Sequence, residues 1–268
     1  MHTPTTTPAK IALYCVLQGP NRHVWSPFVN KLETRLRLAA VPYRLGQGSM
    51  RQAPRGKIPY ISLDLDDNGS DSEMLGDTSL IIKRLCAEGV MPDLNDGLSA
   101  GERAVDVAVR ALLEERLAFF LTRERWIDNY YTMRAGALAA LPWAMRFIVG
   151  NLAYAGVKRT LYGQGTGRYT DDEMRGMKRE AWETLNALLV EAKTKKGDMD
   201  REGPFWVLGR EAPTEADATV YGFVVASLIC PAAPETQKMV RSFPVLVDYA
   251  RSIHARYFSD YDLWDDEI

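Results

Sequence analysis

The chain has 268 residues, with 33 lysines and arginines, 35 aspartates and glutamates and a formal charge of -2. Its length suits one large or two modest domains, and the basic residues are spread out, which indicates neither a nucleic acid nor an anionic membrane as a partner. The three cysteines, Cys15, Cys86 and Cys230, lie far apart in apolar runs, which favours buried thiols in a reducing, cytoplasmic compartment over disulfides.

The first nine residues are Thr-rich and lack the apolar core of a signal peptide, so a disordered start is expected. No apolar run along the chain reaches about 18 residues, so no membrane span or anchor is expected either. The first element is the apolar run Lys10 to Leu17, which stops at Gly19-Pro20. Its length and flanks predict a buried strand.

A helix is predicted after this strand, with Ser26 as its cap and Pro27 at its first position, running to about Ala40. Its apolar stripe includes Leu32 and Leu36. The charged residues between them predict a solvated face, formed by Lys31, Glu33, Arg35 and Arg37. Residues 41 to 45 then predict a second strand, which completes a βαβ unit.

The segment Gly56-Lys57-Ile58-Pro59-Tyr60-Ile61 predicts a third strand that opens at a proline. Residues 46 to 55 before it are too few and too polar for a crossover helix. Proline is tolerated at the first residue of a strand, and an X-Pro bond can be cis at a cost of about 0.5–1 kcal/mol. A cis-proline here would present the Ile58 backbone to an extended ligand, as another strand would.

A hairpin is predicted at Asn68-Gly69. Residues 64 to 69 also resemble the start of a calcium-binding loop, but Leu75 stands at its twelfth position and no helix precedes it. Residues 72 to 76 predict a fourth strand. Asp77-Thr78-Ser79 then caps a helix with an apolar stripe of Leu80, Ile81 and Leu85. The order β-α-β-β-β-α is that of a thioredoxin-like domain.

Beyond Met91-Pro92 the pattern is helical, with residues 205 to 208 as the one remaining strand candidate. A long amphipathic helix is predicted between residues 98 and 125. Its core stripe would be Val105, Ala108, Val109 and Leu112, and its charged face Asp106, Arg110 and Glu114. Further helices are predicted around residues 182 to 192, ending at Gly197, from a capping box at Thr214 to Asp217 through Cys230, and from Pro244 to about Phe258.

A thioredoxin-like domain with a proline-opened third strand and an acid-hydroxyl helix cap, followed by an all-helical domain with a capped core helix, resembles the glutathione transferase superfamily. The implied fold is α/β plus all-α. The domains are then a disordered start at 1–9, a glutathione-binding domain at 10–92, a helical domain at 98–258 and an acidic tail at 259–268.

Several segments are similar to the failed-axon-connections and metaxin branch of that superfamily. That branch carries a cysteine where this chain has Val29, which puts thiol chemistry at this position in question. The segments are Ser26 to Thr34, Gly56 to Ile61, Leu113-Glu114-Glu115, Arg125-Trp126 and Leu161 to Arg168.

The resemblance implies a glutathione site. In the family the backbone before the cis-proline pairs with the cysteine unit of glutathione, which corresponds to Ile58 before Pro59, and the acid-hydroxyl pair holds the γ-glutamyl group, which corresponds to Asp77 and Thr78. Ser26 is the best match for the residue that steadies the thiolate. A hydrogen bond to a charged group contributes roughly 1.5–3 kcal/mol, or about one to two pKa units at about 1.4 kcal/mol each, enough to ionise much of a thiol at neutral pH.

Each of these residues has a plainer structural interpretation. Ser26, Asp77 and Thr78 would cap their helices in any case, and Lys57, which could meet a glutathione carboxylate, could equally be a solvated surface lysine. An apolar co-substrate pocket could be lined by Tyr14, Trp25, Phe119, Trp126 and Tyr130, although core packing is the default for such residues. The three histidines show no metal-ligand spacing, so no metal is expected.

Three hypotheses follow for function. The first is a protein that binds glutathione and activates its thiol for conjugation to, or isomerisation of, a small electrophilic molecule. The second is a non-catalytic interaction protein that keeps the fold as a scaffold, because fold alone does not decide function. The third, a cysteine-dependent thiol reductase, is weakened by Val29 and by the lack of a CxxC motif. The resemblance allows a homodimer.

Overall fold

The apolar run Lys10–Cys15 forms the central strand β1 in the computed structural model, which describes residues 10–16, 19–64, 72–197 and 203–264. Its partners are β2 (Tyr43–Gln47), β3 (Tyr60–Asp64) and β4 (Ser72–Gly76). The sheet has the order β2-β1-β3-β4, with β2 parallel to β1 and the other neighbours antiparallel. The β-α-β-β-β-α order of a thioredoxin-like domain, predicted from the sequence, is therefore confirmed.

Two helices cover this sheet, α1 (Pro27–Leu38) and α2 (Thr78–Ala87). Leu32 and Leu36 on α1 pack with Ile81 and Leu85 on α2 and with the apolar strand residues in one core cluster. The predicted stripe of α2 was wrong at one position, because Leu80 is 45% exposed. The disordered start, the hairpin turn at Asn68-Gly69 and most of the calcium-loop pattern lie outside the described residues.

The rest of the described chain is helical. Its first three helices follow one another closely along the chain. Two π-helical turns, Leu112–Leu117 and Glu124–Asp128, lie between them. Residues 205 to 208 do not form a strand; they are an irregular segment in which Phe205, Trp206 and Val207 are buried. The helices are α3 (Ala100–Ala111), α4 (Ala118–Arg123), α5 (Tyr130–Ala137), α6 (Trp143–Gln164), α7 (Asp171–Lys196), α8 (Glu215–Ile229), α9 (Pro234–Arg241) and α10 (Pro244–Tyr257).

Helix α8 forms the centre of the helical region. The predicted capping box is present, since the Thr214 amide donates to the Asp217 carboxylate at 2.7 Å and the Thr214 hydroxyl meets the same carboxylate at 3.1 Å. Asp217 also accepts from the Val207 amide at 2.8 Å. Within the described ranges no single helix could cross a membrane by length and composition; α8 and α9 pass such a test only as a pair, bent by 117°.

Helices α1 and α8 cross at a close contact, which overturns the predicted solvated face of α1. Lys31, Glu33 and Arg35 are each no more than 1% exposed. Each is buried with a partner of opposite charge or a hydrogen-bonding group: Lys31 with Glu114 at 2.7 Å, Arg35 with Glu215 at 2.7 Å, and Glu33 with the Tyr43 hydroxyl at 2.6 Å. The periodicity of α1 showed a charged face correctly, but that face meets the helical domain and not the solvent.

Helix α3 is also turned relative to its predicted orientation. Val105 and Ala108, expected in the core, are exposed, whereas Asp106, expected in solvent, is fully buried. The Asp106 carboxylate accepts from the Ala216 amide at 2.7 Å and from the Asn95 side chain at 2.8 Å. Asp106 therefore accepts a hydrogen bond from an amide in the first turn of α8 that has no partner within its own helix. This contact between the two helices fixes which face of α3 is buried.

The C-terminal segment, predicted as an acidic tail, packs on the first domain as far as the structure describes it. Tyr261 and Trp264 belong to the main core cluster. The Tyr261 hydroxyl donates to Glu33, and Arg37 pairs with Asp260 while its guanidinium lies 4.3 Å from the Phe258 ring centre. Residues 258 to 264 thus join the end of the helical region to α1.

Candidate functional site

The start of β3 and the end of β4 lie side by side at one end of the sheet. The register pairs Tyr60 with Gly76 on one side and with Tyr14 on the other. The Ile58–Pro59 peptide bond is cis. Ile58 is half-buried and precedes the first residue pair of the ladder, so its backbone lies outside the sheet pairing and beside the residues that follow Gly76.

Asp77 and Thr78 form the start of α2 at this end of the sheet. Asp77 has a φ of 78°, a left-handed conformation that a non-glycine residue adopts at a cost. Its carboxylate accepts from the Ser79 and Leu80 amides at 3.0 and 3.1 Å, and it remains exposed. Thr78 is 5% exposed. The predicted cap is therefore present, and the strained backbone points the Asp77 carboxylate at the helix start.

Ser26 caps α1 at the same end of the molecule. Its side-chain oxygen accepts from the Val29 amide at 3.4 Å, and its hydroxyl proton is given to no other part of the chain that the structure describes. Val29 packs with Cys15 and Val24, and Ile58 lies against this small cluster. The first turn of α1 and the start of β3 are therefore neighbours.

Sequence reasoning missed Lys31, which joins the two helix starts. Its ammonium lies 3.3 Å from the Ser79 hydroxyl and 2.7 Å from a Glu114 oxygen. The lysine side chain is 1% exposed. A lysine in a charged stripe gives no sign of such burial, although Glu114 stands in a segment that the family resemblance had already singled out. Lys57, by contrast, is exposed.

Arg55 is a second cation near this site. A Cβ placed on Gly76 would lie 3.4 Å from the Arg55 side chain, so the arginine passes directly over the residue before Asp77. Arg55 is exposed and stands two residues before Lys57. The polar, irregular segment before β3 thus supplies a cation whose position could be found only from the fold.

The cysteine thiols are held in their protonated form by burial. Burial, and then the nearby charge of Glu33, raises the pKa of the Cys15 thiol to about 12. Burial also raises the pKa values of Cys86 and Cys230. All three are free thiols. A thiolate nucleophile at neutral pH is therefore not supplied by these side chains.

The five residues predicted to line a co-substrate pocket do not form one cluster. Tyr14 stacks on Tyr60 with ring centres 4.8 Å apart, and the Trp25 ring fills the space beside Gly136 of α5. Tyr130 instead contacts α6, where its hydroxyl meets Asn151 at 3.2 Å. Phe119 and Trp126 are half-buried, and no aromatic ring contact within the described ranges joins them to Tyr14 or Trp25.

A cavity of about 380 Å³ lies away from this site. It is lined by the first residues of β1 and β2 and the last residues of β3, which the register places at the opposite end of the sheet from Pro59. Among the described residues, no group of three or more acidic, histidine or cysteine side chains could hold a metal ion.

Comparison with known proteins matches residues 27–133 to the glutathione S-transferase N-terminal domain family. Failed axon connections of Drosophila melanogaster is 29% identical over 192 residues, a region that covers 67% of this chain and 44% of that protein. The match therefore spans less than half the length of this relative.

Solved glutathione transferases share the fold of nearly the whole chain. A glutathione transferase from Phanerochaete chrysosporium has a TM-score of 0.58 at 15% identity, covering 97% of this chain and all of that one. A family member from Pseudomonas fluorescens, solved with two glutathione bound, has a TM-score of 0.54 at 16% identity, with 95% and 92% of the two chains covered. At such identities the likeness shows the fold.

Proposed function

We propose that this chain, whose residues 27–133 match the glutathione S-transferase N-terminal domain family, binds glutathione and activates its thiol for conjugation to, or isomerisation of, a small electrophilic substrate. One observation supports the proposal most. The start of β3 at Ile58-Pro59, the start of α2 at Asp77-Thr78 and the start of α1 at Ser26 meet at one end of the sheet. Two helix N-termini directed at one place favour bound carboxylates and a thiolate.

Each group has a proposed role. The Ile58 backbone pairs with the cysteine unit of glutathione, as an added strand would. Asp77 takes the γ-glutamyl ammonium, and the Thr78 amide and hydroxyl take the γ-glutamyl carboxylate. Lys57 meets the remaining carboxylate. Ser26 donates its hydroxyl proton to the thiolate, because its oxygen is already engaged as the helix cap and its proton is not.

The apolar co-substrate is proposed to lie over the Ser26 hydroxyl. Tyr14 and Trp25 are the residues of the predicted pocket that flank this end of the sheet. Phe119 and Trp126 remain proposed lining residues on the helical domain. Tyr130, the first residue of α5, is also proposed to line the pocket. Three free thiols support a reducing, cytoplasmic location.

A non-catalytic scaffold is the second candidate. It is favoured by Val29 where the related branch carries a cysteine, and by the protonated state of the three cysteine thiols. A relative that matches the chain, Failed axon connections, is named for a defect in axon connections and not for a reaction. The two candidates differ in turnover, whereas both allow glutathione to bind.

Thermal unfolding of the full chain with millimolar glutathione tests the proposal. A ligand that binds only the folded state raises apparent stability by mass action, by about 2.7 kcal/mol at one hundred times its dissociation constant. We expect a rise in melting temperature with glutathione and turnover of a generic aromatic electrophile. A melting temperature that does not move, together with no turnover, would remove the proposal; a rise without turnover would favour the scaffold candidate.

Ser26→Ala separates activation from binding. We expect turnover to fall by roughly tenfold or more, because one charge-assisted hydrogen bond is lost, while the glutathione-induced shift stays. Loss of the cap also costs about 0.5–2 kcal/mol of stability. Ser99→Ala is the matched control, since Ser99 caps α3 in the same manner. Equal turnover in Ser26→Ala and the wild type would reduce Ser26 to a helix cap.

A further inference from the structure

The outer face of α6 is mainly apolar and is exposed in the part of the chain that the structure describes. Phe147, Ile148 and Leu152 are 56%, 54% and 69% exposed, and Ala144 and Ala155 on the same face are exposed too. These positions follow the i, i+3, i+4, i+8 and i+11 spacing of a single helical stripe. A contiguous apolar stripe of this kind on a folded domain marks an interaction surface.

The opposite face of α6 is anchored in the helical domain, so the exposed stripe has a fixed orientation. A Cβ on Gly150 would lie 2.5 Å from the Arg134 side chain and 2.8 Å from the Tyr130 hydroxyl, which shows how closely α5 and α6 approach. Leu161 is 2% exposed at the other end of the helix. Turning α6 to bury the outer stripe would break these contacts.

The stripe lies in a segment with one sign of charge. Residues 129 to 170 contain five basic residues and no aspartate or glutamate, in a chain whose formal charge is -2. Lys158 and Arg159 are exposed on the outer side of α6 and form no ion pair with any described residue. The carboxylates that bracket the segment are Asp128 and Asp171, and Asp171 is paired with Arg123.

We propose that the outer face of α6 docks on an anionic phospholipid surface, with the helix lying in the plane of the interface. The apolar stripe would enter the acyl boundary, and Lys158 and Arg159 would meet lipid phosphates. Tyr162, 61% exposed on the same face, is an amphipathic aromatic of the kind that favours the interfacial layer. The proposal stands independently of glutathione binding.

Charge decides between a lipid surface and a second copy of this chain. In a symmetric pair the same face would meet itself, and because residues 129 to 170 contain no aspartate or glutamate, the segment would place no carboxylate opposite Lys158 and Arg159. A lipid surface with phosphate and serine headgroups supplies the complementary charge. An acidic protein surface would supply it as well, and the test distinguishes that case.

Vesicle flotation of the full chain tests the proposal, with vesicles of phosphatidylcholine alone and of phosphatidylcholine mixed with phosphatidylserine. We expect binding to the mixed vesicles, little binding to the neutral ones, and a loss of binding in high salt, because screening shortens the reach of the cations to about 3 Å at 1 M.

Two variants with matched controls locate the surface. Leu152→Asp should abolish binding, whereas Val190→Asp, which alters another exposed apolar residue, on α7 (43% exposed), should not. Lys158→Glu with Arg159→Glu should weaken binding roughly tenfold or more, whereas Lys83→Glu with Lys238→Glu, both at exposed positions, should change it little.

Three outcomes would overturn the proposal. No binding to either kind of vesicle would leave an acidic protein as the occupant. Equal binding of the wild type and Leu152→Asp would show that another surface carries the interaction. A wild-type dimer, measured by sedimentation, that dissociates in Leu152→Asp would assign the face to a second copy of the chain.

Discussion

Buried titratable side chains lie where the loop after β1 meets the helices of the C-terminal region. His23 lies among aromatic rings near the C-terminal segment, with its Nε2 3.2 Å from the Tyr221 hydroxyl and 3.3 Å from His254 Nδ1. Burial, then the charges of His254 and Arg37, lowers the pKa of His23 to about 3. The folded protein therefore holds this imidazole neutral, while the unfolded chain protonates it near its ordinary pKa.

His23 should make folding stability depend on pH. Its folded pKa of about 3 is below the ordinary 6.5, so its contribution is fully present above about 6.5 and is lost as the pH falls toward 3. Each pH unit costs up to about 1.4 kcal/mol. Chemical denaturation of the wild type and of His23→Gln at about pH 7 and about pH 5 should show a smaller loss in the variant.

Asp217 acts in the opposite sense, so only the difference between the two proteins isolates His23. Burial raises the pKa of Asp217 to about 6 from 3.8, so its contribution declines as the pH rises between these values. Asp217 is present in both proteins and cancels. Identical losses in the wild type and in His23→Gln would show that His23 titrates normally in the folded state.

The sequence shows that one face of α1 is charged, but not which part of the molecule that face contacts. Lys31, Glu33 and Arg35 follow the spacing of a solvated helix face, and nothing local distinguishes that from a face buried against charged partners. Their partners Glu114 and Glu215 are distant in the chain. The caps at Ser26, Asp77 and Thr214 depend on neighbours within three residues, and all three were predicted and are present.

Among the elements, the crossing of α1 and α8 depends on one glycine. A Cβ on Gly222 would lie 2.6 Å from the Lys31 amide nitrogen and from the Pro27 carbonyl oxygen. Both atoms belong to the backbone of α1, so they cannot move away without moving the helix. The absence of a side chain at residue 222 sets the distance between the sheet domain and the core helix of the helical domain.

Gly222→Ala should destabilise the protein by about 1–3 kcal/mol or more through overpacking. The matched control is Gly176→Ala in α7, where an added Cβ meets nothing within 4 Å. This control should gain up to about 1 kcal/mol from helix propensity. Denaturant midpoints measure both. If Gly222→Ala were as stable as Gly176→Ala, the two helices would not be held in contact at this glycine.

Two helices were not predicted correctly. In α6 both faces are apolar, and in α3 contacts with distant residues decide which face is buried. Helix α6 has an apolar outer stripe as well as a packed inner face, so it lacks the one-sided pattern that predicts a helix. The orientation of α3 follows from Asp106 capping α8, a contact across 110 residues. Strands β1 and β4, by contrast, are short and bounded by turn residues, and their predicted positions hold within two residues.

For the molecule as a whole, average composition hid the distribution of charge. The formal charge of -2 suggested no electrostatic partner, yet residues 129 to 170 carry five basic residues without an acidic one. Only the fold shows that two of these cations, Lys158 and Arg159, lie beside an exposed apolar stripe without an ion-pair partner among the described residues. We keep the proposed division into a glutathione-binding domain at 10–92 and a helical domain at 98–258, joined by the α1–α8 contact.

The proposed site combines residues that are far apart in the sequence of the sheet domain, and only some of them could be predicted from the sequence. Ile58, Asp77, Thr78 and Ser26 were named from local patterns and the family resemblance. Arg55 and Lys31 were missed, because an arginine over Gly76 and a lysine beside Ser79 are consequences of register and helix packing. The co-substrate pocket stays a prediction, since aromatic side chains that line a pocket and those that fill a core have the same sequence pattern.

Titration of the isotope-labelled full chain with glutathione, followed by backbone amide NMR, tests the proposed site most directly. We predict saturable shifts at Ile58, at Asp77 to Ser79 and at the first turn of α1, with α6 and α7 unchanged, and the loss of these shifts in Thr78→Val. Spectra that do not change at millimolar glutathione, or saturable shifts confined to the cavity at the opposite end of the sheet, would contradict the site.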